Sequence, residues 1–183
     1  MFKSFTHVKV KPGTEKNLIK KILMLPEALE VHLIMGEFDL LVVLGVEEIL
    51  SAKPWGELTE ILTEKIRMMT GVLETQTLIP ISSKIKKDHL FEFSRLARGF
   101  VYVDVKLGRE KPIMDQLFEM DEVREAHLIP GRHDILTVVE VRKTVLPPRY
   151  PELIANIVVN KISKIHGVQE TETIIPATFN FKE

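Results

Sequence analysis

Two histidines, His32 and His127, stand in matched surroundings: "EVHLIMGEFD" begins at Glu30 and "EAHLIPGRHD" at Glu125. An imidazole can ligate a metal or act as a general base. A metal needs companions, and the "HLI" of each site offers neither carboxylate nor cysteine at useful spacing, so no metal site is expected. Both histidines read instead as packing residues on a sheet face, each with a satisfied ring nitrogen. No set of nucleophile, base and orienting group can be assembled from the repeated residues, and the chain is expected not to be an enzyme.

Two further motifs recur. One is a Gly-x-x-Asp turn, Gly36 with Asp39 and Gly131 with Asp134; the other is "ETxT", giving Thr75 with Thr77 and Thr171 with Thr173. Threonines two apart on a strand point to one face and can offer hydroxyls there. Each residue also has a plain structural reading. Tight turns demand glycine, aspartate accepts turn N–H bonds, and threonine favours strands.

These motifs sit inside a larger repeat. Residues 30–46 and 125–141 are identical at nine of seventeen positions at an offset of 95, where chance gives about one. "EKIRMMTGVLETQTLIP" from Glu64 and "NKISKIHGVQETETIIP" from Asn160 match as well, at an offset of 96. "FTHVKVKPGTEK" from Phe5 repeats more faintly as "FVYVDVKLGREK" from Phe100. Two copies of one domain, residues 1–82 and 99–183, therefore account for the chain. Residues 83–98, "SKIKKDHLFEFSRLAR", have no counterpart and read as the connection.

Within one copy the periodicities alternate. "FTHVKV" alternates with period two and runs into Pro12 and Gly13, a strand and a turn. Leu18, Ile19, Ile22 and Leu23 form a helical stripe ending before Pro26. "LEVHLIM" and "DLLVVLGV" are strands joined at Gly36 by a turn of two or three residues. Leu58, Ile61, Leu62, Ile66 and Met69 mark a second helix, and "VLETQTLIPI" closes the copy. In copy two the second helical stripe is Leu153, Ile154, Ile157, Val158, Ile162 and Ile165.

The order βαββαβ predicts an α+β fold, a ferredoxin-like sandwich of a four-stranded antiparallel sheet with two helices on one face. "DLLVVLGV" is apolar on both faces, so something must cover the second side. The expected cover is the sheet of the other copy, packed sheet to sheet as an intrachain pseudo-dimer of the dimeric α+β barrel type.

Bulk properties narrow the function. Twenty-five basic against 26 acidic residues give a net charge of −1, which argues against direct binding to nucleic acid. No apolar run approaches the eighteen or so residues needed to cross a bilayer, and no signal-peptide core opens the chain. The expected compartment is the cytoplasm. Cysteine is absent, which removes disulfides, thiolate catalysis and thiolate metal carriers. Aromatic platforms for RNA and glycine-rich phosphate cradles are missing too, and no cofactor is called for.

Read together, "VKVKPG", "VHLIMGEFDLLVVLGV" and "IRMMTGVLETQTLIPI" resemble the effector-binding (RAM) domain of the Lrp/AsnC, or feast/famine, transcriptional regulators. The resemblance covers almost the whole chain twice, as a stand-alone tandem version without the helix-turn-helix. It implies a small-molecule effector, an amino acid, bound by the turn after the second strand and by the final strand at contacts between copies or chains. Asp39 would take the ammonium beside the Gly36 backbone, and Thr75 and Thr77 would offer hydroxyls to the carboxylate. Gly131, Asp134, Thr171 and Thr173 form the matched set. It also implies a homo-oligomer and, as partners, DNA-binding relatives of the same family. An aromatic residue is usual before the family's aspartate, so the change from Phe38 to His133 breaks the equivalence of the two sites. A small dimeric α+β barrel enzyme, with a pocket between its two sheets, is the alternative, and a structural partner with decayed pockets a third reading.

Overall fold

The computed structural model describes residues 1–47, 54–87, 95–143 and 149–182. It divides into unit 1, Met1–Ile79 with Pro176–Glu183, and unit 2, Pro80–Ile175. Part of the connection expected over 83–98, residues 88–94, lies outside the described residues.

Unit 1 runs β1 (Phe2–Val10), α1 (Glu15–Leu23), β2 (Ala28–Leu33), β3 (Leu40–Val46), α2 (Pro54–Glu60) and β4 (Val72–Leu78). Its sheet has the order β2-β3-β1-β4, antiparallel throughout. The period-two alternation decides the layers. Val8, Val10, Val31, Leu40, Val42 and Leu44 face the helices and pack with Leu18, Ile19 and Ile22 of α1 and Leu58 of α2. Each such aliphatic side chain contributes about 1.5–3 kcal/mol by leaving water. The alternate residues Phe5, His7, His32, Leu41 and Val43 are on the opposite face, and they too are buried.

Two local features depart from the expectation. The connection from β2 to β3 is residues 34–39, longer than a tight two-residue turn, and is closed by Ile34 N–H donating to the Asp39 carbonyl at 2.8 Å. The second helix continues over Ile61–Ile66 as a π-helical turn, with Arg67 N–H donating to Leu62 O at 2.9 Å. Ile61, Leu62 and Ile66 of this turn are all buried.

Unit 2 repeats the order as β6 (Leu96–Val105), α3 (Glu110–Glu119), β7 (Val123–Leu128), β8 (Ile135–Arg142), α4 (Tyr150–Asn160) and β9 (Val168–Ile174), preceded by a short β5 (Ser82–Ile85). Its sheet order is β5-β7-β8-β6-β9. Ile154, Ile157 and Val158 of α4 are buried, while Leu153, counted in the helical stripe, is exposed. The molecule is thus α+β, with two antiparallel sheets and a ferredoxin-like strand order in each unit. Helix α4 lies so close to β6 that a Cβ on Gly99 would stand 2.6 Å from Cγ2 of Ile154. Gly99→Ala is therefore expected to cost about 1–3 kcal/mol by overpacking, read as a lower urea midpoint with an unchanged slope.

A pair of surface ion pairs ties the loop before the second strand to the second helix in each unit. Lys65 Nζ lies 2.9 Å from Glu27 Oε1, and Lys161 Nζ lies 2.5 Å from Glu122 Oε1. The bond from Lys161 holds the Glu122 carboxyl below its ordinary value. A depressed folded-state value means stability present above the unfolded value, about 4.3, and lost as pH falls through the folded one. Glu122→Gln is expected to cost about 0.2–1 kcal/mol at neutral pH and nothing once the wild-type carboxyl is protonated, measured by urea unfolding along a pH series.

Candidate functional site

The Gly-x-x-Asp turn is built identically in both units. Gly36 and Gly131 hold φ of +137° and +128°. A Cβ at either would meet nothing within 4 Å, so the demand for glycine is conformational, not one of space. Asp39 N–H donates to Val8 O at 3.1 Å, and Asp39 Oδ2 accepts Val10 N–H at 2.8 Å. In unit 2, Asp134 N–H donates to Val103 O at 3.3 Å and Asp134 Oδ2 accepts Val105 N–H at 2.8 Å. β3 begins at Leu40, directly after Asp39, and β8 at Ile135, directly after Asp134, so the carboxylate supplies an acceptor where the ladder has not yet begun. One oxygen of each aspartate is thereby committed to the fold.

The threonines lie across β1 from the turn. Thr75 is opposite Val8 and Thr77 opposite Thr6, which turns both toward the helices, and Thr171 and Thr173 repeat this opposite Val103 and Val101. Thr77 Oγ1 shares a hydrogen bond of 3.0 Å with Thr6 Oγ1, and Thr171 Oγ1 lies 3.4 Å from Ser163 Oγ. All four are half-buried. Because β1 separates β3 from β4, turn and threonines of one unit are two strand spacings apart, on the order of 10 Å. The turn and the threonines thus stand on opposite sides of the first strand.

The histidines have a companion that the sequence reading passed over. His32 Nε2 is 2.8 Å from Glu30 Oε2 and His127 Nε2 is 3.0 Å from Glu125 Oε2, with both rings fully buried. The signal was "EVH" and "EAH": residues two apart on a strand share a face. Asn180 N–H reaches His32 Nδ1 at 3.4 Å, so both ring nitrogens face a polar group. Among the described residues, no group of three or more His, Cys, Asp or Glu is placed to hold a metal ion.

The change from Phe38 to His133 is half of a compensated exchange. In unit 1 the His7 ring packs on Phe38 with centroids 5.5 Å apart; in unit 2 Tyr102 packs on His133 at 5.2 Å. The imidazole has moved from the first strand to the turn. There His133 Nδ1 lies 2.9 Å from Asp104 Oδ1 and Nε2 3.4 Å from Glu172 Oε2, positions held in unit 1 by Lys9 and Gln76. Burial pushes the Tyr102 phenol well above its ordinary value, and the nearby Glu172 carboxylate adds to this.

With the duplicated turn and strand in view, known proteins provide a comparison. The profile of the Lrp/AsnC ligand binding domain matches residues 3–90. The structure of FFRP-DM1 is 32% identical, covers 44% of this chain and 100% of its own, and superposes with a TM-score of 0.39. The chain belongs to the Lrp/AsnC ligand-binding family. An HTH-type transcriptional regulator of Pyrococcus furiosus shares 24% identity with this Lrp/AsnC chain over 120 residues, 61% of it and 76% of the regulator. The siroheme decarboxylase NirDL is 10% identical but follows the fold over 97% of the chain and 71% of its own, with a TM-score of 0.62.

That last likeness corrects the expectation that the chain is no enzyme. The fold traced along nearly the whole Lrp/AsnC chain is one that performs catalysis in NirDL. A missing nucleophile–base–orienter set in the repeated residues was too narrow a test, because it looked only for groups that recur in both copies. His133, 2.9 Å from Asp104, is a pairing that unit 1 does not repeat, since Phe38 and Lys9 hold those positions. No helix among the described residues is long and apolar enough to cross a membrane.

Proposed function

We propose that this Lrp/AsnC chain is a regulatory module that binds an amino acid and acts through assembly, with itself or with DNA-binding relatives. The observation that carries the reading is the duplicated aspartate: Oδ2 of Asp39 and of Asp134 anchors the turn by the same 2.8 Å bond. A carboxylate held this way by its own main chain is pre-oriented for an ammonium group and loses little entropy on binding it. Gly36 and Gly131 leave main-chain groups open beside it. The carboxylate of the ligand would meet threonine hydroxyls, Thr75 and Thr77 or Thr171 and Thr173. Since the two halves within one unit stand about 10 Å apart, the complete site takes its turn from one chain and its threonines from a neighbour. Binding and oligomerisation are then linked, the effector favouring the assembly that completes the site. Light scattering on a size-exclusion column, with and without each amino acid, tests this linkage; an elution profile unchanged by every amino acid contradicts it.

A second reading is catalytic, favoured by His133 held between Asp104 and Glu172. An imidazole oriented by a carboxylate is the arrangement of a general base. Siroheme titration followed by visible absorbance separates the two: a shifted haem band supports catalysis on a tetrapyrrole, and an unchanged spectrum supports the effector module.

A further inference from the structure

The twin helices α1 and α3 agree on the inside and differ on the outside. Toward the sheet, Leu18, Ile19 and Ile22 of α1 and Ile113, Met114 and Leu117 of α3 are buried at matched positions. At 3.6 residues per turn, the centre of each outward face is the i, i+3, i+7 row opposite them. On α1 that row is Asn17, Lys20 and Met24, the last at the C-cap; on α3 it is Pro112, Asp115 and Glu119, and all six are exposed. Lys16 and Lys21 flank the first row, Lys111 and Gln116 the second. The one acid of α1, Glu15, accepts Gly13 N–H at 3.0 Å. The outward face of α1 thus presents three ammonium groups beside a methionine that is 81% exposed.

Local physics accounts for one of these faces and not for the other. Lys20 and Lys21 lie in the last turn of α1, where cations suit the helix dipole. α3 has no base in its last turn and ends on Glu119, with Asp121 just beyond. The dipole disfavours anions there. Asp115 Oδ1 lies 2.6 Å from Lys84 Nζ, with the two side chains 57% and 40% exposed, and an exposed pair of this kind contributes little. Laid antiparallel, the two rows match: Lys20 meets Asp115, Asn17 meets Glu119 with Lys16 alongside, and Met24 meets Pro112. Pairing α1 with α1 would set Lys20 against Lys20, and pairing α3 with α3 would set Asp115 against Asp115. Like charges placed opposite each other select against both. Complementarity lies between the unlike helices.

We infer that the outward face of α1, with Lys16, Lys20, Lys21 and Met24, is a docking surface for the outward face of α3 on a second copy of this chain. Each chain carries one face of each kind, so the contact is heterologous and extends into a ring or an open row of copies. Being polar, it is sensitive to salt. Sedimentation velocity of the full chain, without ligand, should show association at about 0.01 M salt that is lost at about 1 M, as the Debye length shrinks from about 30 to about 3 Å. Lys16→Glu with Lys20→Glu, or Asp115→Lys with Glu119→Lys, should each weaken association by about tenfold or more. All four substitutions in one chain should restore it. The chain contains no cysteine, so introduced thiols report the register. Met24→Cys and Pro112→Cys chains, prepared separately and mixed under mild oxidation, should give a disulfide-linked heterodimer in excess of either homodimer. A wild-type chain that stays monomeric at low salt overturns the inference. So do association indifferent to both reversals, a four-substitution chain that fails to recover, and disulfides in statistical proportion. Loss on reversing α1 but not α3 assigns the lysines to another anionic partner, nucleic acid included, and overturns it too.

Discussion

Glu140→Ala is expected to lower the unfolding free energy by about 3–5 kcal/mol, the usual cost of breaking a buried ionic cluster by removing one member. Glu140 Oε1 accepts from Arg98 Nη2 at 2.6 Å and from Nε at 3.0 Å, while Oε2 accepts from Arg124 Nε at 3.1 Å. Arg98 and Glu140 are 2% and 1% exposed, so water cannot replace the lost acceptor, and two guanidinium groups lose the carboxylate they share. Unit 1 has Lys3, Gly45 and Leu29 at the same positions, with no carboxylate among them. There a Cβ on Gly45 would stand 2.7 Å from Cδ1 of Leu29, so the leucine fills the space that Glu140 occupies. Replacing Arg98, Arg124 and Glu140 together by aliphatic residues should therefore recover most of the loss. Urea denaturation of the single and triple variants is the measurement.

Asp39→Asn and Asp134→Asn are expected to weaken amino-acid binding by about 10- to 100-fold per site, equivalent to about 1.4–2.7 kcal/mol. An amide keeps an acceptor oxygen for Val10 N–H or Val105 N–H, so the folded state should lose only about 1 kcal/mol. It cannot, however, neutralise an ammonium. Alanine at the same positions removes the turn bond as well and should cost more stability. If the asparagine variants bind as tightly as wild type, the aspartates serve the turn alone.

Much of this fold was legible because its determinants are local. Leu18, Ile19 and Ile22 recur at helical spacing, "FTHVKV" alternates, and "DLLVVLGV" is apolar at every pleat, so element type and order follow from periodicity. The positive φ of Gly36 and Gly131 was legible for the same reason. The stretches laid along β7 and β2, β5 and residues 176–182, were not. They agree at only two positions, and main-chain ladder bonds leave no side-chain pattern to read. The cluster of Arg98, Arg124 and Glu140 was hidden differently: its members come from three strands, and of their counterparts in unit 1 (Lys3, Leu29 and Gly45) only Lys3 is charged. For the candidate site, the residue types and their repetition were visible, and Glu30 and Glu125 could have been found by the same period-two rule that placed the strands. What periodicity cannot supply is distance across a sheet. Asp39 and Thr75 fall on opposite sides of β1 because the strand order is β2-β3-β1-β4, and that order is a tertiary property.

The most direct test is isothermal titration of the wild-type chain, at a concentration where it is oligomeric, with each common amino acid in turn. The account predicts saturable heat from at least one of them, with affinity that falls on dilution below the assembly threshold and is lost in the combined Asp39→Asn and Asp134→Asn variant. No heat from any amino acid at millimolar concentration would contradict it.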